Sequence, residues 1–471
     1  MTRHTWVRLD NASNIFLAAR SEADPKVFRL SAEMDHLIDP SLLQEALDIT
    51  YERYPLYHAV LRSGIFWYYL QDSDLAPVVT VDYEHTCAPI YQPDRRTLLF
   101  RVVYFRKRII LEIFHALSDG TGALWFLTDL VIEYTRLRYP DEFTQLDTES
   151  DVSGRSIPET AEQEHGLTVD SFAKYFRKPS RKVTDSAAQF AGHAAPVISG
   201  ILARDLSSSD KSNAPIRLPH SSGRKIYRVK GTRTPDNRTR AVELTMPVSQ
   251  VLALARAEGV SLTIYLTALF FEAIRLSSGG LGEANTLTAS VPVNLRQFFP
   301  STSPRNFFAT TRVEHTYGEG KDDFTTICQE LEAQFREKVT PQALEAKLRR
   351  FIRLERMPAL RIVPRILKDV VLGLGNRTNN RGLTVAISNL GLVRLPEPAD
   401  SHLGRMLLQV SAARPQFCSV SHAGMLAVCF TSPFTELGHV KEFVRMLTSQ
   451  QVEVTMAVAR VTEEELVGAG P

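Results

Sequence analysis

A histidine and an aspartate four residues apart, with a glycine directly after, form the group in this sequence best suited to acid–base chemistry: His115, Asp119 and Gly120. An imidazole with an ordinary pKa of about 6.5 can take a proton from a hydroxyl, amine or thiol near neutral pH and later return it. The carboxylate four residues on precedes a glycine turn, a geometry that suits a presented base. Composition alone places only about 0.03 His-x-x-x-Asp-Gly matches in such a chain. The competing reading is a surface loop that carries these letters by accident.

The flanking sequence says what must hold this group. Two β-prone runs, Leu98–Tyr104 and Ile109–Phe114, are joined by the charged Arg106-Lys107-Arg108, which predicts a hairpin with His115 at the end of its second strand. After the loop from Ala116 to Gly122, the residues Leu124, Leu127, Leu130, Val131 and Tyr134 recur at helical spacing. A base is therefore expected at a strand-to-helix turn.

Elsewhere, Asp39-Pro40 is a start signal for an amphipathic helix, and Gly64–Leu70 and Pro77–Tyr83 read as short strands. In the second half, one helix opens at Pro247 and ends before Gly259, and an apolar helix covers Leu262–Leu276. Strands follow at Thr286–Pro292, Leu383–Ile387 and Met406–Val410, then a hairpin over Phe417–Phe430 that turns near Ala423-Gly424. Strands alternating with long helices in both halves predict an α/β protein of two lobes, without a sequence repeat between them. At 471 residues the chain exceeds what one core usually supports. The expected division is an N-terminal lobe at 1–180, an inter-lobe linker region at 181–240 marked by serine clusters, and a C-terminal lobe at 241–471. Phe172–Phe176 is expected to be helical.

Bulk properties remove several classes. The hydrophobic fraction of 44% and charged fraction of 23% suit a packed interior, and a net charge of +2 gives no general reason to bind nucleic acid. The first thirty residues carry Asp10, Arg20, Glu22 and Asp24 without an apolar run of signal length, and no uncharged stretch approaches the roughly 20 residues of a membrane span. A cytoplasmic protein without a transmembrane segment is expected. The four cysteines form no C-x-x-C pair, and Cys418 and Cys429, in apolar runs, read as small core residues, while His36, His58 and His315 show no metal-ligand spacing, so no metal is expected. His422, near a predicted hairpin turn, reads as an exposed turn histidine. Neither a G-x-S-x-G elbow nor a phosphate-binding G-x-x-x-x-G-K loop occurs. Residues 341–370 hold eight Lys or Arg against three acidic residues, interleaved with apolar ones. That face could meet a membrane surface, a lipid acceptor, an acidic carrier protein or a coenzyme A phosphate; a solvated helical face is the competing reading.

The segment Phe114-His115-Ala116-Leu117-Ser118-Asp119-Gly120-Thr121-Gly122 resembles the signature of the superfamily that contains chloramphenicol acetyltransferase, peptide-synthetase condensation domains, polyketide-associated acyltransferases and alcohol acetyltransferases. Arg53-Tyr54-Pro55 with Val60-Leu61-Arg62 is similar to that family's stretch after its first helix. Val291-Pro292-Val293-Asn294-Leu295-Arg296, with Arg305-Asn306-Phe307-Phe308, looks like the second-lobe motif of its alcohol acetyltransferase-like branch. Ser388-Asn389-Leu390-Gly391 is similar to its late channel motif.

This resemblance implies a pseudo-dimer of two chloramphenicol acetyltransferase-like lobes, each a mixed sheet with helices, and an active-site channel between them. It implies an acyltransferase that moves an acyl group from acyl-CoA or an acyl-carrier thioester to an alcohol or amine, with His115 as general base and no bound cofactor. Asp119 would turn away from the channel and pair with Arg296, ideally through two parallel hydrogen bonds. Gly120 would support the turn, and Ser388 and Asn389 would line the channel as candidate oxyanion donors. The alternative is a non-catalytic or condensation-type relative that binds an acyl chain or carrier protein in the channel.

Overall fold

The computed structural model describes residues 6–9, 11–93, 95–144, 224–234, 237–356, 363 and 365–458. Most of the expected linker region, and the expected helix at Phe172–Phe176, lie outside them. The first half supplies β1 (Trp6–Arg8), α1 (Asn11–Ala19), β2 (Val27–Met34), α2 (Pro40–Glu52), β3 (Ala59–Ser63), β4 (Tyr68–Asp72), β5 (Thr80–Val81), β6 (Phe100–Phe105), β7 (Arg108–Phe114) and α3 (Gly120–Arg138). Asp39 caps α2 by accepting the Ser41 and Leu42 N–H groups, with Pro40 at the first helical position; Leu43, Ala46, Leu47, Thr50 and Tyr51 are buried. The β6–β7 hairpin turns at Arg106, whose φ of 51° is the left-handed conformation this tight turn requires.

The second half contains β8 (Arg240–Pro247), helices Val248–Ala257 and Leu262–Ser277, β9 (Thr286–Asn294) and β10 (Phe308–Thr316). Helices Phe324–Lys338, Pro341–Arg356 and Arg365–Arg381 follow, then β11 (Val385–Leu392), the short helix Ala399–His402, β12 (Leu403–Val410), β13 (Gln416–His422), β14 (Met425–Ser432), helix Gly438–Ser449 and β15 (Thr455–Val458).

The strands form a five-stranded sheet ordered β12-β2-β7-β6-β5, a seven-stranded sheet ordered β10-β9-β11-β13-β14-β8-β15, and a small β1-β4-β3 sheet. This is a two-lobed α/β architecture with a mixed sheet in each lobe. One core joins the five-stranded sheet to residues of α2 and α3 such as Leu47, Phe126 and Leu130; another packs Phe270 and Phe271 of helix Leu262–Ser277 with Phe417, Phe430 and Phe443. The lobes are stitched together. β12 leaves the second half to pair antiparallel with β2, opposite residues 28–34.

β7 lies between β2 and β6, so both of its edges are paired, and six of its seven residues are buried. Its one acid, Glu112, is fully buried, and it accepts from Arg29 Nε at 2.7 Å, Arg101 Nε at 2.6 Å and the Cys87 N–H at 2.9 Å. A charge inside the central strand is tolerated because its acceptors are occupied. Cys87, Cys328, Cys418 and Cys429 are free and buried.

One expectation needs revision. His422 is buried, not exposed at a turn: the turn is at Ala423-Gly424, and the ring lies under the start of β12, with Nε2 2.8 Å from the Leu403 carbonyl and Nδ1 3.2 Å from that of Val393. In the basic stretch, several cations fold back onto the chain. The Lys347 ammonium donates to the Thr310 carbonyl; Lys368 Nζ sits 3.3 Å above the Trp67 ring and donates to the Phe66 carbonyl at 3.0 Å; and Arg365 lies over Tyr68. Among the described residues no single helix is long and apolar enough to cross a membrane.

Candidate active site

β7 delivers His115 to the edge of the first core, and hydrogen bonds from two directions fix its backbone. The His115 N–H donates to the Lys26 carbonyl at 2.8 Å, and its carbonyl accepts from Asn306 Nδ2 at 2.8 Å. Asn306 also reaches Ser13 Oγ at 2.9 Å, so one buried amide ties α1, the 115–119 loop and the segment before β10. The ring is partly exposed and framed by aromatics. Phe16 of α1 stacks on it at 3.9 Å and 14°, while Phe28 of β2 and Phe308 of β10 lean against it at 4.9 and 5.8 Å.

Burial pushes the His115 imidazole down to about 4, against its own carbonyl, the Asp119 carboxylate and Asn306, which all favour protonation; Lys26 pushes it lower. The ring is therefore neutral at physiological pH, the form that can accept a proton.

Asp119 faces away from the imidazole. One carboxylate oxygen caps α3 by accepting the Gly122 N–H at 2.9 Å; the other accepts from Arg296 Nη1 at 2.7 Å and the Phe307 N–H at 2.8 Å. Both side chains of the pair are nearly sealed, at 7% exposed for Arg296 and 6% for Asp119. The expected two-pronged pair is not formed. Only Nη1 meets the carboxylate, because Nη2 donates to the carbonyls of Ser303 and Arg305 at 2.8 and 2.7 Å. Arg296 thus clamps the 303–307 loop of one half to the 115–119 loop of the other.

The glycines of the motif have different neighbours. A Cβ on Gly122 would stand 2.1 Å from the Pro304 carbonyl oxygen, and Ser118 Oγ donates to that oxygen at 2.6 Å. A Cβ on Gly120 would meet Leu390 Cδ2 at 2.8 Å, which brings the late Ser-Asn-Leu-Gly segment against the loop. On β11, Ser388 and Asn389 are partly buried. The Asn389 amide is engaged at both ends, donating to Thr263 Oγ1 and accepting from the Gly391 N–H, each at 2.8 Å, where Gly391 has φ 79°. It shapes the turn.

A cleft of about 560 Å³ opens on the outer side of the Asp119–Arg296 pair, lined by Thr121, Trp125, Asn294, Arg296, Gln297 and the 300–302 loop; His115 is not among its lining residues. Phe16 and Phe28, which frame the site, were not singled out from sequence. Nothing in an apolar position announces which ring it will face. Asn306 and Phe308 stood inside a motif that drew attention only as a whole.

No protein-family model matches the chain, and no curated protein does. Solved structures do. Trichothecene 15-O-acetyltransferase from Fusarium sporotrichioides is 10% identical over 95% of this chain and 94% of its own, with a TM-score of 0.58. TRI101 of the same fungus, solved with coenzyme A and T-2, is 10% identical over 96% and 99%, with a TM-score of 0.59. The first condensation domain of the calcium-dependent antibiotic synthetase is 15% identical over 94% and 96%, with a TM-score of 0.55. The chain therefore has the two-lobed chloramphenicol acetyltransferase-like fold of condensation domains and these acetyltransferases, with matches that cover 94–96% of it.

Proposed function

We propose that this protein is an acyltransferase that moves an acyl group from a thioester, either acyl-CoA or acyl-carrier protein, to the hydroxyl or amine of a small molecule, with lobes at 1–180 and 241–471 joined by 181–240. The observation that carries this reading is the imidazole of His115, anchored through its backbone by both halves of the chain and partly open between their aromatic side chains. The solved relatives that share the fold include acetyltransferases and a coenzyme A complex, which supports the thioester donor.

His115 Nδ1 is buried and makes no hydrogen bond, which leaves Nε2 as the ring nitrogen to meet the acceptor. Nε2 removes the proton of the acceptor as its oxygen or nitrogen attacks the thioester carbonyl. The tetrahedral intermediate carries an oxyanion, which needs preorganised donors worth a few kcal/mol. With the Asn389 amide engaged in its turn, the Ser388 hydroxyl is the donor β11 offers. Collapse breaks the carbon–sulfur bond, and the imidazolium returns its proton to the departing thiolate. Asp119 and Arg296 position the loop and do not touch the reactants.

A second reading has its own observation. Phe16 covers one face of the imidazole at stacking distance, which suits a channel that binds an acyl chain or carrier protein without turnover. Free-thiol release from acetyl and longer acyl-CoA donors, measured with a panel of alcohols and amines, separates the two. Acceptor-dependent release supports the transferase. Silence with every CoA donor and with a carrier-bound acyl donor favours the binding protein.

A further inference from the structure

Asp35 and His36 follow β2, and His402 ends the short helix before β12, 367 positions from Asp35. Pairing of β12 with β2, which places Leu403 opposite Met34, brings the three together at one end of the five-stranded sheet. The Asp35 N–H donates to the His402 carbonyl at 3.0 Å and fixes their register. The Asp35 carboxylate then lies between two imidazoles, with Oδ1 on His36 Nδ1 and Oδ2 3.0 Å from His402 Nδ1. One potential ligand atom from each residue lies within 4.8 Å of the other two.

The surroundings orient these rings as a metal site requires. Tyr139 stacks on His402 at 4.2 Å and 4°, and its hydroxyl reaches His36 Nδ1 at 3.2 Å; Tyr134 lies over His36 at 5.7 Å. Glu142 holds the other nitrogen of His402, Nε2, at 3.0 Å. A carboxylate behind a histidine whose second nitrogen faces other ligands is the usual outer support of a ligating imidazole. Two imidazoles and one carboxylate, with a fourth position left to water, match the donor preference of zinc and similar first-row divalent ions.

We propose that Asp35, His36 and His402 bind one divalent ion of the zinc type, with Glu142 orienting His402 from outside. The ion clamps β12, from the second half, to the end of β2. Its role is structural. The other end of β2, where Val27 pairs with Phe114 beside His115, is roughly 25 Å away along the strand.

The test uses the full chain, stripped with a chelator and titrated with Zn²⁺ by calorimetry, with Co²⁺ absorption as a readout of the donor set. The proposal expects one equivalent bound at micromolar affinity or tighter, a raised Tm, and a Co²⁺ spectrum of nitrogen and oxygen ligands. His36→Gln and His402→Gln each weaken binding at least tenfold and abolish the Tm rise, and Glu142→Gln weakens it by a smaller factor. If the parent shows no saturable binding, the cluster is held by hydrogen bonds alone and the proposal fails. Unchanged affinity in both histidine variants overturns it equally, since the ion would then bind elsewhere.

Discussion

The His115 imidazole is neutral because its surroundings make the charged form expensive, and the same physics sets how the protein responds to acid. Its folded pKa is about 4, and burial against Phe270 pushes His439 down to about 4 as well. Each ring binds a proton more readily in the unfolded chain, where the value is near 6.5. Stability from these two groups is therefore fully present above about 6.5 and declines as pH falls towards 4. Denaturant melts at a series of pH values should show a shallower acid decline for His115→Gln than for the parent; identical slopes would contradict the burial of this ring. Asp119→Asn isolates a different effect. Asparagine caps a helix as well as aspartate, so the bond from the Gly122 N–H survives, but its amide nitrogen then faces Arg296 Nη1 and the Phe307 N–H, which lose both the charge and the acceptor they share. Stranding a buried guanidinium should cost about 3 kcal/mol, read as a Tm several degrees lower with partial loss of activity. A parental melt with parental activity would show that the pair does not brace the loop.

At the scale of elements, the loop between β7 and α3 is fitted tightly against a segment from the other half. Gly122→Ala forces a methyl group onto the Pro304 carbonyl, so the 303–307 loop must move; a loss of about 1–3 kcal/mol and a marked fall in turnover are expected. Gly120→Ala meets only the far end of the Leu390 side chain, which can rotate, so its Tm should change little. Thermal melts of the two variants check this ordering, and equal effects would contradict it. The β7-loop-α3 unit was legible in sequence because hydrophobic period changes from strand to helix across a polar motif. β2 was not, since Arg29 and Glu33 interrupt its apolar run. Both prove to be held in place by ion pairs, Arg29 to Glu112 and Asp82, Glu33 to Arg108 and Arg405. Sequence shows the charges and not their partners.

At the scale of the molecule, two α/β lobes were legible from alternating strands and helices, but the exchange of β12 between them was not. A strand's partner depends on the whole topology, and Met406–Val410 reads as a strand whichever sheet receives it. The meeting of Asp35 and His36 with His402 was hidden for the same reason. Without β12, β2 becomes an open, largely buried edge prone to association. Residues 1–223 expressed alone should elute as aggregate in size-exclusion chromatography, and co-expression with 224–471 should restore a one-to-one complex. A well-behaved monomer of 1–223 would show that the exchanged strand is dispensable. The account as a whole rests on His115 acting as a base, and the most direct measurement is thiol release by His115→Ala beside its thermal melt. Turnover roughly 100-fold or more below the parent, with the fold retained, is the predicted result; turnover equal to the parent's would contradict it.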